Sequence, residues 1–131
     1  MHRKRGLILL LGCSTALAAM LGASDSESAA HGREIFEKRC TGCHALDNSR
    51  VGPPLRGVFG RRAASDPAFP YSDALRKAQF NWDEARLDRW LADPESLIPG
   101  NDMTFRLDNA AERTAIVSYL KQLSARPEQR R

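Results

Sequence analysis

Cys40-Thr41-Gly42-Cys43-His44 sets two thiols three residues apart, with an imidazole directly after the second. Three chemistries use such a set. A redox C-x-x-C belongs in a strand–helix–strand setting, and no window of this chain alternates like a strand. A structural zinc needs about four ligands; beyond the export segment described below, the chain offers only Cys40, Cys43, His44 and His31. The third chemistry fits. C-x-x-C-H is the signature of c-type haem attachment. Each thiol adds across one haem vinyl group, and two thiols at this spacing at a helix end reach both vinyls on one porphyrin edge. The adjacent His44 then lies under the iron as proximal ligand. A thioether keeps the cofactor where a non-covalent haem could be lost. The expected cofactor is one haem c, bound through Cys40 and Cys43.

The opposite ligand follows from counting methionines. There are three, Met1, Met20 and Met103, and only Met103 lies beyond the export segment. It follows Ile98-Pro99-Gly100-Asn101-Asp102, a turn-rich strap between two helical segments. A thioether there gives His/Met ligation, which favours reduced iron and raises its potential. A lone methionine is otherwise core filler. His31, the other candidate, reads as an exposed helix residue. The expected iron ligands are therefore His44 and Met103.

Residues 1–24 read as a signal peptide. His2, Arg3, Lys4 and Arg5 form a basic start, Leu7 to Ala23 is largely apolar, and no acid precedes Asp25. Cleavage after Ala18 or after Ser24 fits. A retained anchor is the alternative, although the apolar run is at the short edge for a membrane span. Leu10-Leu11-Gly12-Cys13 resembles a bacterial lipobox, which leaves a lipid tether at Cys13 open. Residues 25–30 form a polar-to-Ala lead-in, 31–125 the folded domain and 126–131 a polar tail. The formal charge of +4 falls almost to neutrality once Arg3, Lys4 and Arg5 are set aside, so nothing points to nucleic acid or an acidic surface.

The domain must position these groups with helices and loops. One helix is expected over Ser28 to Cys40 and a short one over Ser72 to Ala78. A third starts at Asn81, with Glu84 as a capping-box partner, and stops before Pro94. The last starts near Asn109, with Glu112 three residues on, and Ala115, Ile116, Tyr119, Leu120 and Leu123 share one face. Residues 44–70 hold Gly52, Pro53, Pro54, Gly57, Gly60, Pro67 and Pro70 and read as loops. The fold class is all-α, about four helices with long loops. Loops of this length in so small a domain must pack on something, and a planar cofactor at the centre supplies it.

From Gly32 to Lys121 the chain resembles the class I cytochromes c, the mitochondrial and related bacterial kind. Gly32 and Phe36, with Tyr119 and Leu120, match the crossing of the first and last helices. Cys40, Cys43 and His44 match the attachment motif. Val51-Gly52-Pro53-Pro54-Leu55 and Gly57-Val58-Phe59-Gly60-Arg61 match the loop under the proximal face. Pro94, Pro99, Gly100, Met103 and Phe105 match the distal strap. The resemblance implies that the Pro53 carbonyl orients His44. It also implies that Arg61, Tyr71 and Trp82 donate to the inner haem propionate, as their chemistry allows. The chain departs from the pattern in places. The loop from His44 to Pro53 is shorter. Trp90 stands where a tyrosine commonly approaches the methionine sulfur, which leaves that hydrogen bond open. Leu75 replaces an asparagine near the inner propionate. Asn101 and Asp102 replace threonine and lysine, so the mitochondrial docking charges do not carry over.

These features imply a periplasmic, monohaem carrier of single electrons, not an enzyme, working between redox proteins such as a dehydrogenase, an oxidase or a membrane complex. Two alternatives stay open. One is an electron-accepting subunit held on a periplasmic dehydrogenase. The other is a haem enzyme or gas sensor with an open iron site, which requires Met103 to be off the iron or labile.

Overall fold

The computed structural model describes the backbone of residues 16–125 and the side chains of residues 24–125. Cys13 and the basic start of the chain lie outside the described residues, as does the polar tail. Five helices follow in order: α1 Ala16–Arg39, α2 Asp73–Lys77, α3 Glu84–Ala92, α4 Pro94–Leu97 and α5 Ala110–Ala125. Among the described residues the only β pairing is an isolated bridge between Arg62 and Asn81. The all-α expectation holds, with one helix more than the four read from periodicity.

The core is the crossing of α1 and α5. Gly32 makes it close: a Cβ there would lie 1.9 Å from the Ala115 carbonyl oxygen. One turn along, Phe36 meets Tyr119 edge to face, with ring centroids 5.5 Å apart. Ile35, Phe36, Ile116, Leu120 and the α3 residues Leu87 and Leu91 are buried in one cluster. Arg113 ties α5 to α3, its Nε donating to Asp88 Oδ1 at 2.8 Å, and its Nη1 donates to the carbonyls of Leu107 and Asp108.

Local chemistry sets the ends of the helices. Ser72 caps α2, its hydroxyl accepting from the Leu75 N–H, and Asn109 caps α5, accepting from Ala111 and Glu112. Three expectations need correction. Helix α1 starts at Ala16, not Ser28, because the Ala- and Ser-rich stretch before Ser28 holds no proline to stop it. Helix α3 is capped by Asp83, whose Oδ1 accepts from Arg86 N at 2.8 Å, not by Asn81. Asn81 is drawn into the bridge with Arg62, so the extended backbone persists two residues further. The turn Pro94–Leu97, read as part of the strap, is a separate helix with Pro94 in its first turn and Asp93 as cap.

Candidate haem site

The attachment motif forms the turn that closes α1. The Cys43 and His44 N–H groups both donate to the Cys40 carbonyl, at 3.1 and 2.8 Å. Arg50 Nη1 donates to the Thr41 carbonyl at 2.9 Å and Gly52 N–H to the Cys43 carbonyl at 2.8 Å. The short returning loop is thus pinned to the turn that carries the thiols. Burial, helped by the neighbouring Cys43, pushes the Cys40 thiol up to about 11, while Cys43 is exposed.

His44 is oriented by Pro53. Its Nδ1 lies 2.9 Å from the Pro53 carbonyl oxygen. A carbonyl only accepts, so Nδ1 carries the hydrogen and Nε2 keeps its lone pair for a metal. Burial lowers the pKa of the ring, with the Pro53 bond opposing, so the neutral form is favoured. Gly52 leaves room for the ring: a Cβ there would come within 2.2 Å of His44 Cε1.

Arg61 and Trp82 are brought together across the loops. Trp82 N–H donates to the Arg61 carbonyl at 2.9 Å, and Gly60 N–H to the Trp82 carbonyl at 2.7 Å. Arg61 Nη2 is steadied by the Pro54 carbonyl at 3.0 Å. The Tyr71 phenol is buried, which raises its pKa, and the charge of Arg61 pulls the other way. Arg61, Tyr71 and Trp82 all line the same cavity, and a guanidinium, a phenol and an indole are all donors suited to a carboxylate.

On the distal strap, Trp90 Nε1 donates to Met103 Sδ at 3.1 Å. The hydrogen bond that the sequence left open is therefore made by an indole in place of a phenol. Asn101 Oδ1 accepts from Met103 N at 2.8 Å.

A cavity of about 500 Å³ joins these groups. Cys40, Cys43, His44, Pro53, Arg61, Tyr71, Trp82 and Met103 all line it, and much of the remaining wall is apolar, including Leu55, Val58, Leu75 and Phe105. His31 is not among the lining residues and sits exposed on α1. Among the described residues no group of three or more His, Cys, Asp or Glu is placed to hold a metal ion. An apolar slot lined by two thiols, an imidazole, a thioether and three side chains able to donate to a carboxylate fits a covalent haem. Sequence reasoning missed Gly52, whose place beside Pro53 was visible but whose contact with His44 was not. It also missed the bonds of Arg50, Glu95 and Asn101, which go to backbone groups of nearby turns and, between Glu95 and Asn101, from side chain to side chain.

The sequence profile described as Cytochrome c matches residues 29–124. The chain belongs to the cytochrome c family. Two of its relatives are the cytochrome c2 iso-2 of Magnetospirillum fulvum and the c-type cytochrome cy of Rhodobacter capsulatus. The first is 44% identical over 87 residues, covering 64% of this chain and 91% of that protein. The second is 42% identical over 94 residues, covering 70% of this chain and 47% of that protein; this chain spans about half of it. Cytochrome cH from Methylobacterium extorquens superposes with a TM-score of 0.68 at 38% identity, covering 72% of this chain and 97% of that one. As a cytochrome c, the protein binds one haem c covalently through Cys40 and Cys43 and carries electrons; it is not an enzyme.

Proposed function

We propose that this cytochrome c shuttles single electrons between periplasmic or membrane redox proteins, with His44 and Met103 as iron ligands in both oxidation states. The haem supplies the one-electron change. Cys40 and Cys43 hold it, Pro53 fixes the His44 tautomer, and Arg61, Tyr71 and Trp82 pair its inner propionate, since a buried charge must be paired. The single observation that carries the reading is the bond from Trp90 to Met103 Sδ. It holds the thioether in the wall of the cavity that His44 also lines, as a closed carrier site needs and an open enzyme or sensor site does not. Absorption spectra in both redox states, with and without carbon monoxide, test it. A low-spin spectrum unmoved by carbon monoxide is expected, and ready binding overturns it.

The export reading extends this. Residues 1–24 are removed on export, 25–30 lead into the domain at 31–125, and 126–131 form a polar tail. Among the described residues no helix is long and apolar enough to cross a membrane. Mass and N-terminal sequencing of the purified protein should place its start between Ala19 and Asp25. A lipidated Cys13 or a retained Met1 would make it a tethered carrier. Stoichiometric co-purification of a dehydrogenase would replace the free shuttle with a bound subunit.

A further inference from the structure

The strap that carries Met103 is closed by the side chains of Glu95, which does not line the cavity, and Asn101, which does. Gly100 turns the chain with φ of +82°, a conformation that suits glycine. Its N–H meets the Glu95 carboxylate, with Oε1 at 3.1 Å and Oε2 at 3.2 Å. The Asn101 Nδ2 donates to Glu95 Oε2 at 3.3 Å and to the Ile98 carbonyl at 2.9 Å. The other end of the same amide, Oδ1, accepts the N–H of Met103 at 2.8 Å. A carboxylate from α4 thus grips the turn, and one asparagine side chain links that grip to the backbone of the methionine.

We propose that Glu95 and Asn101 form a carboxylate–amide clamp that keeps the Met103 sulfur at the iron, making them positioning residues for electron transfer. The proposal rests on the reading of Met103 as distal ligand. Trp90 holds the sulfur from the α3 side, and the clamp holds the backbone from the strap side. Neither Glu95 nor Asn101 is assigned ligation or proton exchange; their contacts are with the strap itself. Their effect is on the fraction of molecules whose strap is open. An external ligand reaches the iron only in that fraction, so its apparent affinity scales with it.

The test uses the ferric holoprotein and imidazole as the probe ligand. Wild type is compared with Glu95→Ala, Glu95→Gln, Asn101→Ala and Glu34→Ala, the last an exposed carboxylate on α1. Four readouts are taken: imidazole affinity, the sulfur-to-iron charge-transfer band, amide hydrogen exchange and thermal unfolding. Glu95→Ala and Asn101→Ala should bind imidazole about three- to tenfold more tightly, the size expected for lost hydrogen bonds on a half-exposed strap. Their Gly100 and Met103 amides should exchange faster, while the Ile116 and Leu120 amides of α5 keep wild-type rates. Glu95→Gln should fall between, because its single amide oxygen can accept the Gly100 N–H. Glu34→Ala should match wild type. Unchanged imidazole affinity in both alanine variants, with the band present in wild type, overturns the clamp alone. So does faster exchange spread equally through α5, which is general destabilisation. No charge-transfer band in wild type, with the same spectrum in Met103→Ala, overturns the ligand reading and the clamp with it.

Discussion

The indole N–H of Trp90 on α3 donates to the sulfur of Met103, thirteen residues along the chain, at 3.1 Å. A thioether sulfur is a weak acceptor and an indole N–H is donor only. With Met103 on the iron as proposed, this bond would draw electron density from the sulfur, leave less to donate to ferric iron and favour the reduced state. Trp82 backs the indole, with ring centroids 5.3 Å apart, so its direction is held by packing.

Trp90→Phe should therefore lower the reduction potential by tens of millivolts. A single hydrogen bond contributes about 1 kcal/mol, and a tenfold shift in a one-electron equilibrium is ~59 mV. The same substitution made in Met103→Ala should have little further effect, because the pair acts as a unit. An unchanged or raised potential in Trp90→Phe would show that the bond does not tune the iron.

Met103→Ala should lower the potential further and let carbon monoxide bind the ferrous protein readily, since thioether ligation is what raises the potential. Titration with carbon monoxide and a potentiometric scan check this. Identical spectra and identical carbon monoxide affinity in variant and wild type would remove Met103 from the iron.

Gly42 within the attachment motif and Gly52 in the loop after it should respond differently to alanine. At Gly52 a Cβ would press into the His44 ring, 2.2 Å from Cε1 and 2.6 Å from Nδ1, whereas at Gly42 it would meet nothing within 4 Å. Gly52→Ala should push the imidazole off its bond to Pro53 and yield little low-spin holoprotein. Gly42→Ala should mature normally. Haem-stained gels with spectra of the purified variants read both, and normal ligation in Gly52→Ala would contradict the packing described.

At the helix crossing, Gly32→Ala must separate α1 from α5, because the new Cβ would sit 1.9 Å from the Ala115 carbonyl oxygen. Backbone cannot yield cheaply there, and overpacking costs about 1–3 kcal/mol. Thermal melts should show a clear drop in midpoint with the haem still covalently attached. A melt equal to wild type would mean that the helices can move apart freely.

What could be read from the sequence was what lies close together along the chain. The thiol spacing and the imidazole next to it are fixed by covalent geometry, so Cys40, Cys43 and His44 announced the haem without any fold. Ser72 and Asn109 cap helices through bonds to the next turn, and the apolar face of α5 repeats at the helical period. The α3 start was misread because a bridge to Arg62, nineteen positions back, decided the conformation of Asn81. Counting methionines supplied Met103 and the resemblance to cytochromes c supplied Pro53, Arg61, Tyr71 and Trp82, but neither gave their distances. Tertiary structure alone decided that Trp90 reaches the Met103 sulfur, that Gly52 lies against the His44 ring, and that Glu95 and Asn101 close the strap. Each depends on where a side chain points once helix, loop and strap are packed. A hydrogen bond needs its partner within a few tenths of an ångström and in the right direction, which residue type and spacing along a flexible chain do not set.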